Sequence, residues 1–517
     1  MEPVKFIHMA DLHLGKKQYN LEQRYKDYFN TFKWILDLSI REQVDFIMIS
    51  GDLFDNRKIG PSVLSDLFYI LQKFNKKCLE ILKRKIQIIC IEGNHDNPIY
   101  TSRSWMSFLA DLDLIILLSG NFDKATKKVE FPEFNSKTKR GGKIRIKGVE
   151  IYGLPFYGSY TNHLFPYIYK ALSDDDFSYR ILMMHFGIQG YDETKPGVRI
   201  SNDLEKLKEK IDYLALGHYH RQYYHPRKGD AWIFNPGSIE INDIRESRFE
   251  HGIIIAEITG REDHQKNINL IPCDLGDNEP GLIPNRKFTT ISSIDISNSS
   301  SFEKSIKYVL NQLKKHNVEI RDSNEDINYG DLNIPILAIF LKGNILYSRL
   351  EININKLREE IKKQFEVLDV KIYTNELYSE MDNITIEDDN QTIEEIELNV
   401  FTSLIRTNPD YGGLTSEVAD LVSELKSELL TKSPNYEELK EMLKSWASIH
   451  IPKYKNIEKE VSIESSNDEK TKTVKLQDLS GKEKEVLEKQ KGEEKESFDD
   501  EFGIDLDDYI DDGEDDF

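Results

Sequence analysis

Short apolar runs alternate with longer amphipathic stretches over the first 271 residues of the chain. The runs "VKFIHMA", "VDFIMIS", "IQIICIE", "YRILMMHF" and "DYLALGHYH" are nearly continuous in apolar residues, which is typical of buried strands. Residues 21–42 and 62–83, the latter entered through Pro61, have apolar residues at helical spacing. In the first of these helices the apolar positions are Tyr25, Phe29, Phe32 and Leu36. Strand–helix–strand alternation of this kind predicts an α/β layered fold.

The later segments "KIRIKGVEIYGLPF", "AWIFNPGSIE" and "HGIIIAEIT" are richer in β-forming residues and favour a sandwich over a simple doubly wound sheet. Glycines and prolines in "CDLGDNEPGLIPNRKF" then predict a domain boundary near Gly281. Beyond it the pattern reads strand, helix, strand, helix, strand, which predicts a small α+β domain. Three amphipathic helices follow, which either dock on a partner or pack together. The predicted divisions are 1–280, 285–378, a linker at 379–392, a helical segment at 393–450, and a tail at 456–517.

The charge of the chain is concentrated at its end. The net charge is −22, and residues 456–517 hold 23 acidic and 9 basic residues, so the other 455 residues carry only −8. A nucleic-acid partner is therefore not excluded by charge. The composition of the tail predicts disorder, with a solubilising or an interaction role.

Nothing in the sequence predicts a membrane protein. No run of about 18 apolar residues occurs, and the N-terminal residues do not resemble a signal peptide. The three cysteines, Cys78, Cys90 and Cys273, lack metal or disulfide spacing. We therefore expect buried free thiols, an intracellular reducing compartment and, in a prokaryote, a cytoplasmic, nucleoid-associated protein.

Polar residues of metal-binding type follow five of the predicted strands. Because ligand crevices in α/β sheets lie outside the carboxyl ends of strands, we expect these residues to converge. They are Asp11 and His13, Asp52, Asn94 with His95 and Asp96, His185, and His218 with His220.

Imidazoles, carboxylates and an amide oxygen together suit two divalent ions of the manganese, iron or zinc type. Asp52 can bridge such a pair, and the ions make a water molecule nucleophilic and attract a phosphate. His95 can stabilise phosphoryl oxygens or protonate a leaving alkoxide, and Asp96 can orient its imidazole. A single histidine after a strand is usually structural, but five such strand ends together indicate a site. The remaining histidines, which lack such neighbours, are interpreted as structural: His8, His163, His225, His251, His264, His316 and His450.

The series D-x-H, G-D-x-x-D, G-N-H-D, a lone H and G-H-x-H resembles the calcineurin-like metallophosphoesterase superfamily. More narrowly, "HMADLHLGKKQYN", "ISGDLFDNRKIGPSVL", "IEGNHD", "LALGHYHRQ" and "NPGSIE" resemble the SbcD-type DNA double-strand-break repair nucleases, called meiotic recombination eleven in eukaryotes and archaea. The resemblance covers roughly residues 1–275. It implies a four-layer β-sandwich flanked by helices, followed by a small α+β DNA-capping domain and a C-terminal helical segment that binds an ATPase.

The resemblance also implies two Mn²⁺ ions and the role of each site residue. Asp11, His13, Asp52 and His220 would hold one ion. Asp52, Asn94, His185 and His218 would hold the other, with His95 as the catalytic histidine. Many archaeal and eukaryotic relatives have a second histidine three residues after the bridging aspartate. Here that position is Asp55, as in several bacterial SbcD-like sequences, so the role of that histidine does not transfer.

The implied function is that of a manganese-dependent nuclease in double-strand-break repair. It would act as a 3′ to 5′ exonuclease on double-stranded DNA and as an endonuclease on single strands. The implied partners are DNA and an SMC-like ABC ATPase of the SbcC type, in a heterotetramer containing a homodimer of this chain. The dimer would form through residues 62–83 (with Leu64, Leu67, Phe68 and Leu71) and the helix "SRSWMSFLADL".

Two alternatives remain. One is a phosphomonoesterase or small-molecule phosphodiesterase of the same superfamily. Protein phosphatases of this type usually contain G-D-x-V-D-R-G and G-N-H-E, from which "GDLFDNRKIG" and "GNHD" depart, and small esterases would not need about 240 further residues. The other is a scaffold with a decayed site, which the complete ligand set disfavours.

Overall fold

The computed structural model describes residues 3–97, 103–172, 179–192, 194–258, 266–274, 281–297, 299–322, 327–379, 392–406, 411–430 and 436–450. Most of the predicted linker at 379–392 and all of the predicted tail at 456–517 lie outside these residues. The chain forms two compact units, Met1–Asn383 and Ile384–Phe517. The boundary predicted near Gly281 falls inside the first unit and stays a prediction.

The described strands and helices are numbered along the chain. The strands are β1 (Val4–Met9), β2 (Phe46–Ser50), β3 (Gln87–Ile91), β4 (Ile116–Leu117), β5 (Asn121–Asp123), β6 (Lys128–Glu130), β7 (Lys143–Ile146), β8 (Val149–Gly153), β9 (Tyr179–Met183), β10 (Tyr213–Ala215), β11 (Tyr223–His225), β12 (Ile233–Asn235), β13 (Gly252–Ile258), β14 (Lys266–Pro272), β15 (Phe288–Asp295), β16 (Ile336–Ile345) and β17 (Asp369–Ser379). The helices are α1 (Glu22–Arg41), α2 (Pro61–Ile81), α3 (Trp105–Asp111), α4 (Phe165–Ala171), α5 (Asn202–Lys206), α6 (Phe302–Lys315), α7 (Ile354–Gln364), α8 (Ile393–Arg406), α9 (Thr415–Leu429) and α10 (Tyr436–His450).

Two six-stranded sheets form the centre of the first unit, in the orders β14-β13-β1-β2-β3-β4 and β11-β12-β10-β9-β8-β7. Strands β1 to β4 are parallel, and so are β8, β9, β10 and β12. The sandwich and its flanking helices confirm the fold class predicted from the sequence.

Strand β1 is mostly apolar, with Lys5 and His8 as its polar residues, because it is buried on both faces. Ile7 and Met9 pack with the helices α1 and α2, whereas Val4 and Phe6 pack against the second sheet. All four side chains are fully buried. Helices α4 and α5 cover the outer face of the second sheet. The order helices, sheet, sheet, helices gives the four layers that the resemblance implies.

The predicted strand–helix order after Gly281 is confirmed element by element. Strands β15, β16 and β17 are parallel and share a core with α6 and α7, in which Val309, Leu313 and Ile361 are fully buried. We call residues 285–378 the small domain.

The second unit consists of the three predicted helices in its described part. The Trp446 indole donates from α10 to the Glu417 carbonyl of α9 (3.1 Å). Ala419, Leu421 and Leu439 are buried, while Leu430 and Tyr436 are exposed. These helices therefore pack together and still leave apolar surface in water.

Candidate metal centre

The first two strands bring three of the predicted ligands together. Strands β1 and β2 are parallel, and their pairing continues beyond their ends: Asp11 N donates to Gly51 O (3.1 Å), and His13 N donates to Asp52 O (3.1 Å). Two loops that are about 40 residues apart in sequence thus run side by side. Their buried side chains, Asp11, His13 and Asp52, converge at one edge of the sheet.

Four of the seven predicted ligands adopt a backbone conformation that residues other than glycine rarely adopt. Their φ angles are positive. Such residues persist only where the surrounding structure holds them, and they cluster at functional sites. The four, with their φ angles, are Asp11 (53°), His13 (45°), Asp52 (53°) and His218 (84°).

The glycines that precede Asp52 and Asn94 are needed because the ligands fill the space where a side chain would begin. A Cβ on Gly93 would lie 2.1 Å from Oδ1 of Asp52. A Cβ on Gly51, where φ is +92°, would lie 2.3 Å from Nδ1 of His185. Each glycine therefore lets one ligand approach the loop that carries another.

One group of donors surrounds His220. Its Nε2 lies 3.2 Å from Nε2 of His13 and 4.0 Å from a carboxylate oxygen of Asp11. Nδ1 of His220 donates to Glu246 (2.7 Å), so its Nε2 presents a lone pair to the other two. These three residues can offer one ligand atom each within 4.8 Å of one another, which fits a divalent ion.

A second group surrounds the amide oxygen of Asn94. That oxygen lies 3.1 Å from Nε2 of His185 and 3.1 Å from Nδ1 of His218. Asp52 lies beside it, with a carboxylate oxygen 3.3 Å from Nε2 of His185. Nδ1 of His185 donates to the Ser50 carbonyl (2.7 Å), which leaves Nε2 as the ligand atom. This donor set also fits a divalent ion of the manganese, iron or zinc type.

Burial keeps two of the imidazoles neutral, as a metal ligand must be. It lowers the pKa of His13 well below its ordinary value and that of His218 to about 3. For His185, burial is outweighed by Asp52, which raises its pKa to about 9. Although burial alone would raise the pKa of Asp52, His185 holds it below its ordinary value. The Asp52 carboxylate, which is paired with His185, thus favours positive charge at this site.

His95 lies beside His13 and Asp52, each of the three offering one donor atom within 4.8 Å of the others, and its hydrogen-bond partner differs from the one predicted. Its main-chain N–H donates to Oδ1 of Asp52 (2.9 Å), and its Nδ1 contacts the main-chain carbonyl of Asp55. Asp96 does not orient the imidazole. Its carboxylate accepts from the N–H groups of Leu53 (3.1 Å), Phe54 (3.0 Å) and Gly93 (3.1 Å). Asp96 instead holds the Asp52 and Asn94 loops together, because both of its carboxylate oxygens accept from these main-chain amides.

Sequence reasoning missed Glu246, Phe156 and Lys195. Glu246 hydrogen-bonds His220, and although burial opposes it, His220 lowers the pKa of Glu246 to about 2. Phe156 lies with its ring centroid 5.9 Å from that of His185 and 5.8 Å from that of His218. No motif marks these residues. Only Glu246 had a local signal, since it follows "NPGSIE" by six residues.

Lys195 lies in a loop tied to the ligand segment. The hydroxyl of Tyr219, the residue between His218 and His220, donates to the Lys195 carbonyl (3.0 Å). Burial raises the pKa of Asp11, and the charge of Lys195 acts against this rise. For Glu246, where burial also opposes ionisation, Lys195 adds to the lowering of the pKa by His220. Arg57, which follows Asp52 by five residues in the sequence, donates to the Asn94 carbonyl (3.1 Å). Both cations therefore lie near the donor groups.

A cavity of about 250 Å³ opens beside His218. Phe156 and Phe186 form part of its wall, and Pro196 and Val198 of the Lys195 loop form another part. Its position next to the second donor group makes it a place where a substituent of a substrate can lie.

Among the residues that the structure describes, none of the histidines interpreted as structural belongs to a donor group. His8 is buried and contacts Tyr213, Ser50 and the Leu216 carbonyl, each at 3.0 Å. His251 contacts the Ser238 carbonyl (3.0 Å). His264 lies outside the described residues.

Comparison with known proteins identifies the type of domain. Residues 4–222 match the calcineurin-like phosphoesterase family. The chain is 28% identical over 389 residues to the DNA double-strand break repair protein Mre11 of Saccharolobus solfataricus, which covers 74% of this chain and 85% of that protein. The protein of the same name from Methanocaldococcus jannaschii is 26% identical over 444 residues, or 84% of this chain and 96% of its own. A third, from Sulfurisphaera tokodaii, is 27% identical over 72% of this chain and 84% of its own.

Proposed function

Residues 4–222 of the chain are a calcineurin-like phosphoesterase domain, and on that premise we propose that the protein is a DNA nuclease of double-strand-break repair. We propose further that it depends on manganese, that it degrades double-stranded DNA from the 3′ end and that it cleaves single strands internally. The observation that carries the proposal is the convergence of seven donor residues from five strand ends into two adjoining groups. Similarity to DNA repair proteins over most of the chain, including the small domain, supports DNA as the substrate.

The two donor groups would hold one ion each. We assign Asp11, His13 and His220 to the first ion and Asn94, His185 and His218 to the second, with Asp52 bridging them. Two divalent ions would supply positive charge for a phosphodiester and a water molecule of lowered pKa. Attack at phosphorus that expels the 3′ oxygen leaves a 5′-phosphate on the product.

His95 would act on the substrate from the edge of this centre. Its Nδ1–H is directed to the Asp55 carbonyl, so Nε2 is the atom that can contact a phosphoryl oxygen or protonate the departing 3′ oxygen. Attachment of its main chain to Asp52 fixes the distance of the ring from the metal ligands. Lys195 and Arg57 would contact phosphates next to the scissile one.

The protein would work with an SMC-like ABC ATPase and as a homodimer, in a reducing compartment. Exposed apolar residues of α9 and α10, among them Leu429 and Leu443, suit an ATPase docking surface. For the dimer, Leu67 and Leu71 of α2 are core residues, whereas Tyr69, Trp105 and Phe108 are exposed on α2 and α3. The three cysteines are buried free thiols, and no described helix is long and apolar enough to cross a membrane.

A nuclease assay tests the proposal and separates it from phosphomonoester hydrolysis. Purified protein is incubated with end-labelled duplex DNA or with a phosphomonoester, in Mn²⁺ or in Mg²⁺. His95→Ala is compared with His316→Ala, a histidine at the exposed end of α6. We expect 3′ degradation in Mn²⁺, with loss in His95→Ala alone while both variants keep their metal. Turnover of the monoester with intact DNA would overturn the substrate, and inactivity that persists with the ATPase added would favour a scaffold.

A further inference from the structure

A buried arginine ties the small domain to helix α1. Arg286, which is fully buried, donates through Nε and Nη2 to both carboxylate oxygens of Asp27 (2.5 and 3.0 Å). Its remaining N–H groups donate to main-chain carbonyls of Tyr329 (2.9 Å), Asp331 (2.9 Å) and Ile334 (2.7 Å). Because this guanidinium joins a helix of the phosphoesterase domain to three carbonyls beyond Gly281, it fixes one relative to the other.

Helix α1 continues this contact toward the metal centre. Arg24 donates to Asp27 (2.9 Å) and to the Ile241 carbonyl (3.1 Å), and its guanidinium lies 5.1 Å from the centre of the Tyr28 ring. The Tyr28 hydroxyl lies 3.2 Å from the same carbonyl and donates to Oδ1 of Asn242 at 2.7 Å. Arg24 and Tyr28 are fully buried, so water does not replace these bonds.

The last two steps reach a predicted metal ligand. The main-chain N–H of Asn242 donates to Oε2 of Glu246 (3.1 Å). Oε1 of the same carboxylate accepts from Nδ1 of His220 (2.7 Å). A carboxylate that accepts from a ligand imidazole fixes the ring and raises its basicity. We call the whole series the polar relay, which consists of Arg286, Asp27, Arg24, Tyr28, Asn242, Glu246 and His220.

We propose that the polar relay positions His220, so that metal affinity at the His220 group depends on how the small domain is held against α1. This rests on the proposed dimetal function. Glu246 is held from one side by Asn242 and from the other by His220, so a shift of Asn242 moves the carboxylate that sets the direction of the imidazole. Arg24 and Tyr28 both connect helix α1 to the Ile241–Asn242 peptide group, and Tyr28 is the one that also holds the Asn242 side chain. By linkage, an ion bound at His220 also stabilises the contact between Arg286 and Asp27.

Tyr28→Phe tests the relay because it removes one hydroxyl and no charge. Tyr25→Phe is its matched control: Tyr25 is on the same helix, and its hydroxyl donates to a carboxylate, Asp66, at 2.6 Å. Both variants lose one hydrogen bond, so an effect through stability alone would appear in both. Mn²⁺ binding to the full chain is titrated by calorimetry, beside the free energy of unfolding.

We expect Tyr28→Phe to weaken one of the two Mn²⁺ sites about fivefold, as for loss of a single supporting hydrogen bond. Glu246→Gln should weaken the same site about 10- to 100-fold. Tyr25→Phe should bind both ions as the wild type does. Equal Mn²⁺ affinities in Tyr28→Phe and Tyr25→Phe would overturn the proposal.

Hydrogen exchange tests the reverse direction, from the bound ion to the small domain. Mn²⁺ should slow amide exchange at residues 327–334 of the small domain as well as in the ligand loop at 91–97. In Tyr28→Phe only the ligand loop should remain protected. Protection confined to the ligand loop in the wild type would overturn the relay. The wild type could also bind two ions and show slowed exchange at residues 327–334, yet leave DNA intact. That result would overturn the proposed function but not the relay.

Discussion

His13 and His220 face each other with their Nε2 atoms 3.2 Å apart, although 207 residues separate them in sequence. Nδ1–H of His220 donates to Glu246, so its Nε2 lone pair points at His13 and is available to a cation. We therefore expect His220→Ala to keep one of two bound ions, and His316→Ala to keep both. Metal content after dialysis, measured by atomic emission, checks this. Two ions retained in His220→Ala would show that His220 is not a ligand.

Gly93→Ala should abolish binding of the two metal ions that Asp52 would bridge. The new methyl group would lie 2.1 Å from an Asp52 oxygen, so the Asn94 loop or the carboxylate must move. Gly60→Ala is the control, since nothing lies within 4 Å of a Cβ at that position. Calorimetric titration with Mn²⁺ should give normal binding for Gly60→Ala and no dimetal binding for Gly93→Ala. Normal binding by both variants would contradict the close approach.

Asp55→Asn should change the rate of phosphodiester cleavage by less than about threefold. The main-chain carbonyl of Asp55 contacts His95, and this carbonyl is retained in the variant. The side chain contacts Lys16 at 3.2 Å, a partly exposed ion pair that contributes little, and its Oδ1 lies 3.6 Å from Nδ1 of His13, toward which the amide oxygen of an asparagine can still be an acceptor. Steady-state turnover of an activated phosphodiester measures the effect. A hundredfold loss would mean that the carboxylate itself takes part in the reaction.

Lys195→Ala should weaken DNA binding at every sequence alike and reduce its dependence on salt. A lysine that contacts a phosphate releases about one counterion, so the slope of log K against log [salt] should fall by about one. Lys195→Arg keeps the charge and serves as the control. Fluorescence anisotropy at several salt concentrations, with Ca²⁺ in place of Mn²⁺, gives the slope. An unchanged slope in Lys195→Ala would exclude a phosphate contact.

The folded protein should lose stability as the pH falls from about 6.5 to 4. Burial lowers the pKa of His8 to about 3 and of His251 to about 4, whereas both titrate near 6.5 in the unfolded chain. The unfolded state therefore binds protons first, and each histidine costs about 3 kcal/mol of stability by pH 4.

Replacement of one of these histidines tests the origin of that loss. His251→Gln keeps a donor for the Ser238 carbonyl and should reduce the slope of stability against pH by about one proton, whereas His316→Gln should not. Urea unfolding at pH 7, 6, 5 and 4 provides the slopes. If His251→Gln and the wild type have the same slope, His251 does not remain neutral in the folded state.

The sequence by itself determined the strand ends and their chemistry. Continuous apolar runs marked strands that are buried on both faces, because such strands have no polar side, and the residues after them had no packing role that would explain imidazole and carboxylate. The residue types of Asp11, Asp52 and His185, and their places at strand ends, were therefore enough to assign them to one site. The order of strands and helices in the small domain followed from the spacing of its apolar residues, which alternates between a period of two and a period of 3.6 residues.

Only the tertiary structure decided which side chains touch. The partner of His95 is a main-chain carbonyl, which no residue type reveals, and Asp96 is drawn to three backbone amides made available by the pairing of the Asp52 and Asn94 loops. Glu246 and Tyr28 carry no motif, because an ordinary glutamate or tyrosine acquires its role from the groups that surround it after folding. The burial of a strand can be inferred from its own residue types. A contact between residues that are distant in sequence depends on how the intervening strands, helices and loops pack.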